Sequence, residues 1–138
     1  MSWDSYITNL LADGECQDAA IIGYIDGVSI WASTPGKILC NVTPEEIAVL
    51  IGKDRASFLT NGLTLGKVKC SVLRDRLEHE SEWTMDLRTK APGQPTYNIT
   101  VAKAGKALIA AIGHEGKHGG IINTKVYNMM KHLRDSGY

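Results

Sequence analysis

The stretch of this chain whose spacing most suggests chemistry is His114-Glu115-Gly116-Lys117-His118. It fits H-E-x-x-H, in which two histidines one helical turn apart hold zinc and the glutamate acts as base. That geometry exists only on a helix. Gly113, Gly116, Gly119 and Gly120 crowd the same segment, and each glycine costs a helix about 1 kcal/mol relative to alanine. The segment is therefore predicted to be a glycine-rich turn, with no metal bound. It is no P-loop either, because Gly116-Lys117 lacks the following Ser or Thr and the correctly spaced upstream glycine. A G-x-S-x-G elbow is absent, and the carboxylates are scattered through helix and turn segments. Cys16, Cys40 and Cys70, without a C-x-x-C pair, read as reduced thiols packed as small hydrophobes. Neither enzymatic activity nor a cofactor is expected.

Two other groups of residues could recognise a partner. The segments GKVKCSVLRDR and DLRTK put Lys67, Lys69, Arg74, Arg76, Arg88 and Lys90 on adjacent strands or their turns. Residues 1 to 50 hold seven acids and one base, so residues 51 to 138 carry a net +6 within a chain of zero net charge. This charge reads either as a solvated sheet edge or as a footprint for an acidic partner or anionic headgroup. No aromatics are interleaved with it for base stacking, which disfavours nucleic acid. The second group is aromatic: Trp3 and Tyr6 near one end, Trp31, and His132, Leu133 and Tyr138 at the other. These are either plain core or a shelf for a polyproline II ligand, whose rigid rings dock on aromatics at low entropic cost.

Certain elements must position these groups. Trp3, Tyr6, Ile7, Leu10 and Leu11 form an amphipathic stripe that predicts a helix after Ser2, a candidate N-cap. Two β-rich runs flank Asp26-Gly27, a strong hairpin signal, with Val28, Ile30 and Ala32 on one strand face and Trp31 on the other. TPEEIAVLIG carries a T-x-x-E capping box with proline at the first helical position. NGLTL, KVKCSVLRD, EWTMDLRTK, TYNITVAK and KALIAAIG read as strands. A last helix is predicted from Asn123 or Thr124, with Val126, Met129, Met130 and Leu133 as its core stripe. Tyr127 lies about 100° to one side of Val126 and His132 about 120° to the other, so they face different surroundings.

Consecutive strands joined by short turns imply an antiparallel meander, and the two terminal helices can cover one of its faces. The expectation is a single α+β domain spanning residues 1 to 138, long enough to bury about two-thirds of its unfolded surface. No apolar run is long enough to span a bilayer and no signal peptide is apparent, so a cytosolic chain is expected. Asn41-Val42-Thr43 and Asn98-Ile99-Thr100 then read as inert glycosylation sequons.

The chain also resembles the profilins, of the vertebrate cytoplasmic kind, from Trp3 to Tyr138. The motifs that carry this are W-x-x-Y-I, IWAS, TPEEI, GKDRASF, TNGLTLG, KCSVLRD, MDLRTK, HGGIIN and KHLRDSGY, in family order. The resemblance implies a central antiparallel sheet with the N- and C-terminal helices on one face and shorter helices on the other. It implies a non-enzymatic, monomeric, cytoskeleton-associated regulator that binds monomeric actin and promotes exchange of its nucleotide. It also implies binding of proline-rich partners such as formins, and of phosphatidylinositol 4,5-bisphosphate through peripheral membrane contact. By position, the proline-binding residues would be Trp3, Tyr6, Trp31, His132, Leu133 and Tyr138. The actin face would comprise Lys69, Ser71, Val72, Leu73, Arg74, Arg88, Lys90, Thr96, His118, Gly119, Gly120, Asn123, Lys125 and Tyr127. Phosphoinositide would meet Lys69, Arg74, Arg88, Lys90, Lys125 and Arg134. Lys117, Thr124 and Asn128 depart from the family pattern beside the expected actin face, which leaves open a divergent member that engages actin weakly. Asp135 after Arg134 stands where some members have a second base.

Overall fold

The fold is governed by a strand with no polar face. In the computed structural model, which describes residues 3–138, β7 (Ala107–Gly113) is buried at every position. Leu108, Ala110 and Ile112 point to one side, while Ala107, Ile109 and Ala111 point to the other. A continuous apolar run of this length is what a strand covered on both faces requires. β1 (Cys16–Gly23) and β6 (Asn98–Lys103) flank it, and β2 (Ser29–Ser33), β5 (Thr84–Thr89), β4 (Val68–Arg76) and β3 (Leu63–Leu65) complete the sheet. The order is β2-β1-β7-β6-β5-β4-β3, and every neighbouring pair is antiparallel.

Different helices cover the two faces. On one, α2 (Pro44–Leu50) and α3 (Phe58–Asn61), with a 3₁₀ turn at Leu39–Asn41, bury Leu39, Ile47, Leu50 and Phe58 against Ile22, Met85, Leu87, Ile99 and Leu108. On the other, α1 (Asp4–Leu11) and α4 (Gly119–Asp135) bury Ile7, Leu10, Ile122, Val126, Met130 and Leu133. The strand positions beneath them include Ala19, Ala102, Ala107 and Ala111, whose small side chains let the helices lie close. This is the predicted arrangement. The candidate cap Ser2 lies outside the described residues.

The capping box forms as predicted and has a second use. Thr43 Oγ1 accepts from the Glu46 N–H at 3.1 Å, and Glu46 Oε1 accepts from the Thr43 N–H at 3.0 Å. The same carboxylate also accepts from the N–H groups of Gly66 and Lys67, each at 2.9 Å. Those two residues have φ of 57° and 67°, the paired positive values of a tight hairpin turn, so one glutamate fixes both a helix start and the β3–β4 turn.

Three expectations need correction. Asp26 and Gly27 adopt positive φ as predicted, but β1–β2 pairing reaches only Gly23 and Ser29, so the connection is longer than a two-residue turn. Val28 and Ala32 do not share a face: Val28 packs on the α2–α3 side and Ala32 on the α1–α4 side. A register shift pairs Ile21 with Ala32 but Ile22 with Ile30, which makes Trp31 the extra residue of a bulge and turns it toward the terminal helices. Finally, α4 starts at Gly119, four residues before the predicted Asn123. His118 supplies the missing start signal, because its Nδ1 accepts from the Gly120 N–H at 2.9 Å.

One buried charge ties the 3₁₀ turn to the sheet. Asp18 on β1 is 1% exposed, and its Oδ2 accepts from the N–H groups of Ile38 and Leu39, each at 2.9 Å. Its Oδ1 has no partner among the described residues. Burial pushes this carboxyl up from 3.8 to about 6, against the opposing pull of the Leu39 and Ile38 hydrogen bonds. Because the folded-state value is the higher one, the stability this group contributes is full below its unfolded value and is lost as pH rises through about 6. Asp18→Asn keeps an acceptor without the charge. Denaturant unfolding is expected to show the variant gaining on the parent by roughly 2 kcal/mol between pH 4 and pH 7, whereas parallel pH curves would refute the buried-charge account.

Candidate functional site

The terminal helices bring the two ends of the chain into one aromatic cluster. The α1 stripe carries Trp3 and Tyr6, whose ring centroids lie 5.4 Å apart. Trp3 also lies 4.8 Å from Trp31 and 5.0 Å from Tyr138, the latter edge-on at 87°. Tyr6 lies 5.9 Å from His132 on α4, and Trp31 lies 6.3 Å from Tyr138. These separations are those of attractive offset and edge-to-face pairs. Trp3, Tyr6 and Trp31 are partly buried, while His132 and Tyr138 are exposed, so the rings form an open shelf. Leu133 is fully buried and supports the shelf from below.

Sequence reasoning missed one residue the shelf depends on. Gly23, at the end of β1, lies directly under the Trp31 indole, where a Cβ would stand 2.4 Å from Nε1. Only the absence of a side chain lets the ring lie flat there. No local pattern signals this, because the contact depends on the β2 bulge.

A second site gathers on the same side of the sheet, where β4, β5 and β6 meet the start of α4. β4 is also bulged: Val72 pairs with Leu87 and Arg74 with Asp86, leaving Leu73 as the extra residue. Leu73 is 47% exposed, and Ile121 on α4 adds a second exposed apolar side chain at 44%. Arg74 Nη2 donates to Glu82 Oε1 at 2.5 Å, and Arg76 Nε donates to Glu82 Oε2 at 2.8 Å. Asp86 is the hub. It accepts from Thr100 Oγ1 at 2.9 Å, from Asn123 Nδ2 at 3.0 Å and from Arg74 Nη1 at 3.5 Å, joining β4, β5 and β6 to α4. Asn98 accepts from Arg88 Nε at 3.2 Å and donates to the Lys117 carbonyl at 2.8 Å, so it ties the basic strand to the glycine turn. Glu82, Asp86 and Ile121 were not singled out in the sequence, and Asn98 only as part of an inert sequon.

The residues expected on this face therefore divide. Lys69, Leu73, Arg74, Arg88, Lys90, Thr96, His118 and Gly120 are exposed, and Ser71, Gly119, Asn123, Lys125 and Tyr127 are partly so. Val72 is 6% exposed and packs in the α2–α3 core, on the opposite side of the sheet from α4. The H-E-x-x-H match is not helical: Gly116 has φ of 81°, the Lys117 N–H bonds the His114 carbonyl at 3.1 Å, and His118 is occupied as a cap. The six basic residues expected to meet lipid do not form one patch. Lys125 Nζ pairs with Asp13 at 2.7 Å, and this hydrogen bond holds the Asp13 carboxyl below its usual range. Arg134 lies 3.6 Å over the Trp83 ring and donates through Nε and Nη2 to the Lys103 carbonyl. Burial lowers its pKa.

A sequence description of the Profilin family matches residues 1–138. The chain belongs to the profilin family. It is 58% identical to Profilin-1 of Homo sapiens and 56% identical to Profilin-2 of Rattus norvegicus, in each case over 99% of this chain and 98% of the relative. Among solved structures it superposes on mouse Profilin IIa in complex with a double repeat from the FH1 domain of mDia1, with a TM-score of 0.96 at 52% identity and full coverage of both chains. Acanthamoeba castellanii profilin IB matches at a TM-score of 0.75 and 25% identity over 99% of this chain and all of that one. Profilins are non-enzymatic actin-binding proteins, so the two sites of this profilin are read as binding surfaces. Among the described residues no helix is long and apolar enough to cross a membrane.

Two substitutions test the geometry. Gly23→Ala is expected to displace the Trp31 indole and open the Trp3–Trp31 contact, which near-UV circular dichroism reads; an unchanged spectrum would mean that the ring does not rest on Gly23. Asp86→Ala leaves Asn123 and Arg74 without their shared acceptor and should destabilise the fold by about 1–3 kcal/mol in urea. Asp86→Asn, which keeps one acceptor oxygen, should lose less.

Proposed function

We propose that this profilin binds monomeric actin through the face built on β4, β5, β6 and the start of α4, and proline-rich segments of partners such as formins on the aromatic shelf. It then promotes exchange of actin-bound nucleotide and delivers actin to those partners in the cytoplasm, as a monomer associated with the cytoskeleton. The observation that carries this reading is the shelf: Trp3, Tyr6, Trp31, His132 and Tyr138 are in mutual ring contact yet remain open to solvent. A plain core would bury them. A proline-rich ligand is already close to its bound conformation and loses little entropy on such a surface.

The neighbourhood of the actin face favours binding of ordinary strength. Two of the three departures from the family pattern beside it are satisfied within the chain: Lys117 Nζ lies 3.6 Å from Glu15, and Thr124 Oγ1 donates to the Gly120 carbonyl at 2.9 Å. Neither leaves an unpaired charge facing a partner. Phosphatidylinositol 4,5-bisphosphate is proposed to meet Lys69, Arg88 and Lys90, which are exposed on the basic strands, and Arg74 where it is not occupied by Glu82. Arg134 and Lys125, held in the contacts described above, contribute less. Lipid and actin would then meet one shared surface and compete for it, and the lipid contact weakens with salt as exposed charges are screened over about 10 Å at 0.1 M.

Sedimentation of actin filaments with excess profilin, together with release of a fluorescent nucleotide from monomeric actin, tests the first half. The supernatant actin and the release rate should both rise, and no rise in either at high excess would overturn the actin reading. Titration with a polyproline peptide should change tryptophan fluorescence, because Trp3 and Trp31 lie beneath the ligand.

A further inference from the structure

Two of the three tryptophans stand on the aromatic shelf. The third, Trp83, lies just before β5 and has φ of 49°, a left-handed value that a bulky side chain seldom adopts. Such a conformation persists only where its surroundings over-determine it. Here the Trp83 N–H donates to the His79 carbonyl at 2.9 Å, and the Trp83 carbonyl accepts from the Lys103 N–H at 2.9 Å. The indole packs with the residues buried under the terminal helices.

What it meets there is the last turn of α4. The Arg134 guanidinium lies 3.6 Å over the ring centre, well within the range of a cation–π stack, and a planar guanidinium suits a flat ring. Arg134 Nε also donates to the Lys103 carbonyl at 3.1 Å. Asp135, next along the chain, pairs with Lys131 at 3.3 Å, so the indole and one carbonyl are what hold this guanidinium. Lys103 bonds Trp83 through its N–H and Arg134 through its carbonyl. A clasp is thereby closed between β5, β6 and the end of α4.

The clasp lies between two shelf residues, His132 just before it and Tyr138 at the chain end. The tail that follows it is held by few bonds. The N–H groups of Ser136, Gly137 and Tyr138 donate back to the carbonyls of Leu133, Arg134 and Leu133 at 3.1, 3.1 and 2.8 Å, and the Tyr138 carbonyl accepts from the Lys106 N–H at 2.5 Å. Chain ends fray unless they are tied down. Rings that wander must be ordered when a ligand docks, and that ordering subtracts from affinity. Trp3 lies 5.0 Å from Tyr138, so a frayed end would break this ring pair as well.

We propose that Trp83 is a positioning residue for the proline-binding shelf: its indole holds Arg134, and through it the last turn of α4, so that His132 and Tyr138 are in place before a ligand arrives. This rests on the shelf binding proline-rich ligands. Trp83 acts from outside the shelf, on the far side of the clasp.

The test is calorimetric titration of a polyproline peptide into the parent and into variants at Trp83 and Arg134, with amide hydrogen exchange followed in each. Trp83→Leu removes the ring face and keeps apolar bulk, and is expected to bind the peptide roughly threefold to tenfold more weakly. Trp83→Phe, which keeps a ring for the guanidinium, should recover most of the affinity. Because Trp83 acts through Arg134, adding Trp83→Leu to Arg134→Ala should weaken binding no further than Arg134→Ala alone. In Trp83→Leu the amides of Ser136, Gly137 and Tyr138 should exchange faster, while those of β1 and β7 keep their protection. Unchanged affinity in Trp83→Leu, no recovery in Trp83→Phe, additive losses in the double variant, or weakened binding without faster exchange at the chain end would each overturn the inference. So would loss of protection throughout the sheet, which would mean that the whole fold has loosened. If the parent binds no peptide, the shelf reading falls and the positioning role with it; if the parent binds and Trp83→Leu binds equally well, the positioning role alone falls.

Discussion

A sheet whose central strand is apolar on both sides cannot stand with either face in water, and that requirement organises the molecule. Each buried leucine or isoleucine of β7 contributes roughly 1.5–3 kcal/mol only if something covers it. One face is covered by elements from the first half of the chain. The other can be covered only by the first and last helices, and the alanines beneath them permit close approach. Two chain ends, which would fray in isolation, are therefore held side by side. The aromatic shelf follows from that: Trp3 and Tyr6 come from one end, His132 and Tyr138 from the other, and Trp31 from the strand that happens to lie between them.

Bulges then aim the side chains. A regular strand alternates faces with period two, which would have turned Trp31 away from the shelf. The extra residue on β2 turns it back, and glycine on the neighbouring strand makes room. On β4 an equivalent irregularity lets Leu73 and Arg74 serve the same outer surface while Val72 stays in the core. Both proposed binding surfaces thus sit where the ladder is locally broken, as is common near functional sites. Asp86 and Asn98 then hold the polar side chains so arranged, Asp86 through hydrogen bonds to β4, β6 and α4 and Asn98 through bonds to β5 and the turn before α4.

What could be read from the sequence was whatever is written locally. The α2 capping box needs only Thr43, Pro44 and Glu46 and forms as expected. The stripe of α1 is a periodic signal and the apolar run of β7 a continuous one read as a strand by its shortness, and both survive folding unchanged. The start of α4 was misread because Gly119 and Gly120 weigh against a helix, and the compensation is only partly local: His118 caps the first turn, while Gly113 on β7 leaves space for Ile122, whose Cδ1 would lie 2.9 Å from a Cβ there. The shelf residues were visible as types, but their convergence depends on the terminal helices being neighbours. Gly23, Glu82 and Asp86 carry no short-range signature, since Gly23 acquires its role from the β2 bulge, and Glu82 and Asp86 from side chains that β4 and α4 bring to them.

Helix α4 carries a consequence of its own. It has 17 residues, hence a length of about 25 Å at 1.5 Å per residue. His118 caps its first turn, Asn123 follows within the next, and His132 reaches the aromatic shelf from its last. The two proposed surfaces are therefore mounted on a single stiff rod whose length is set by residue number. In the proposed function, a proline tract docked at one end and actin docked at the other are held at a fixed spacing and orientation, so the helix serves as a gauge as well as a cover for the sheet.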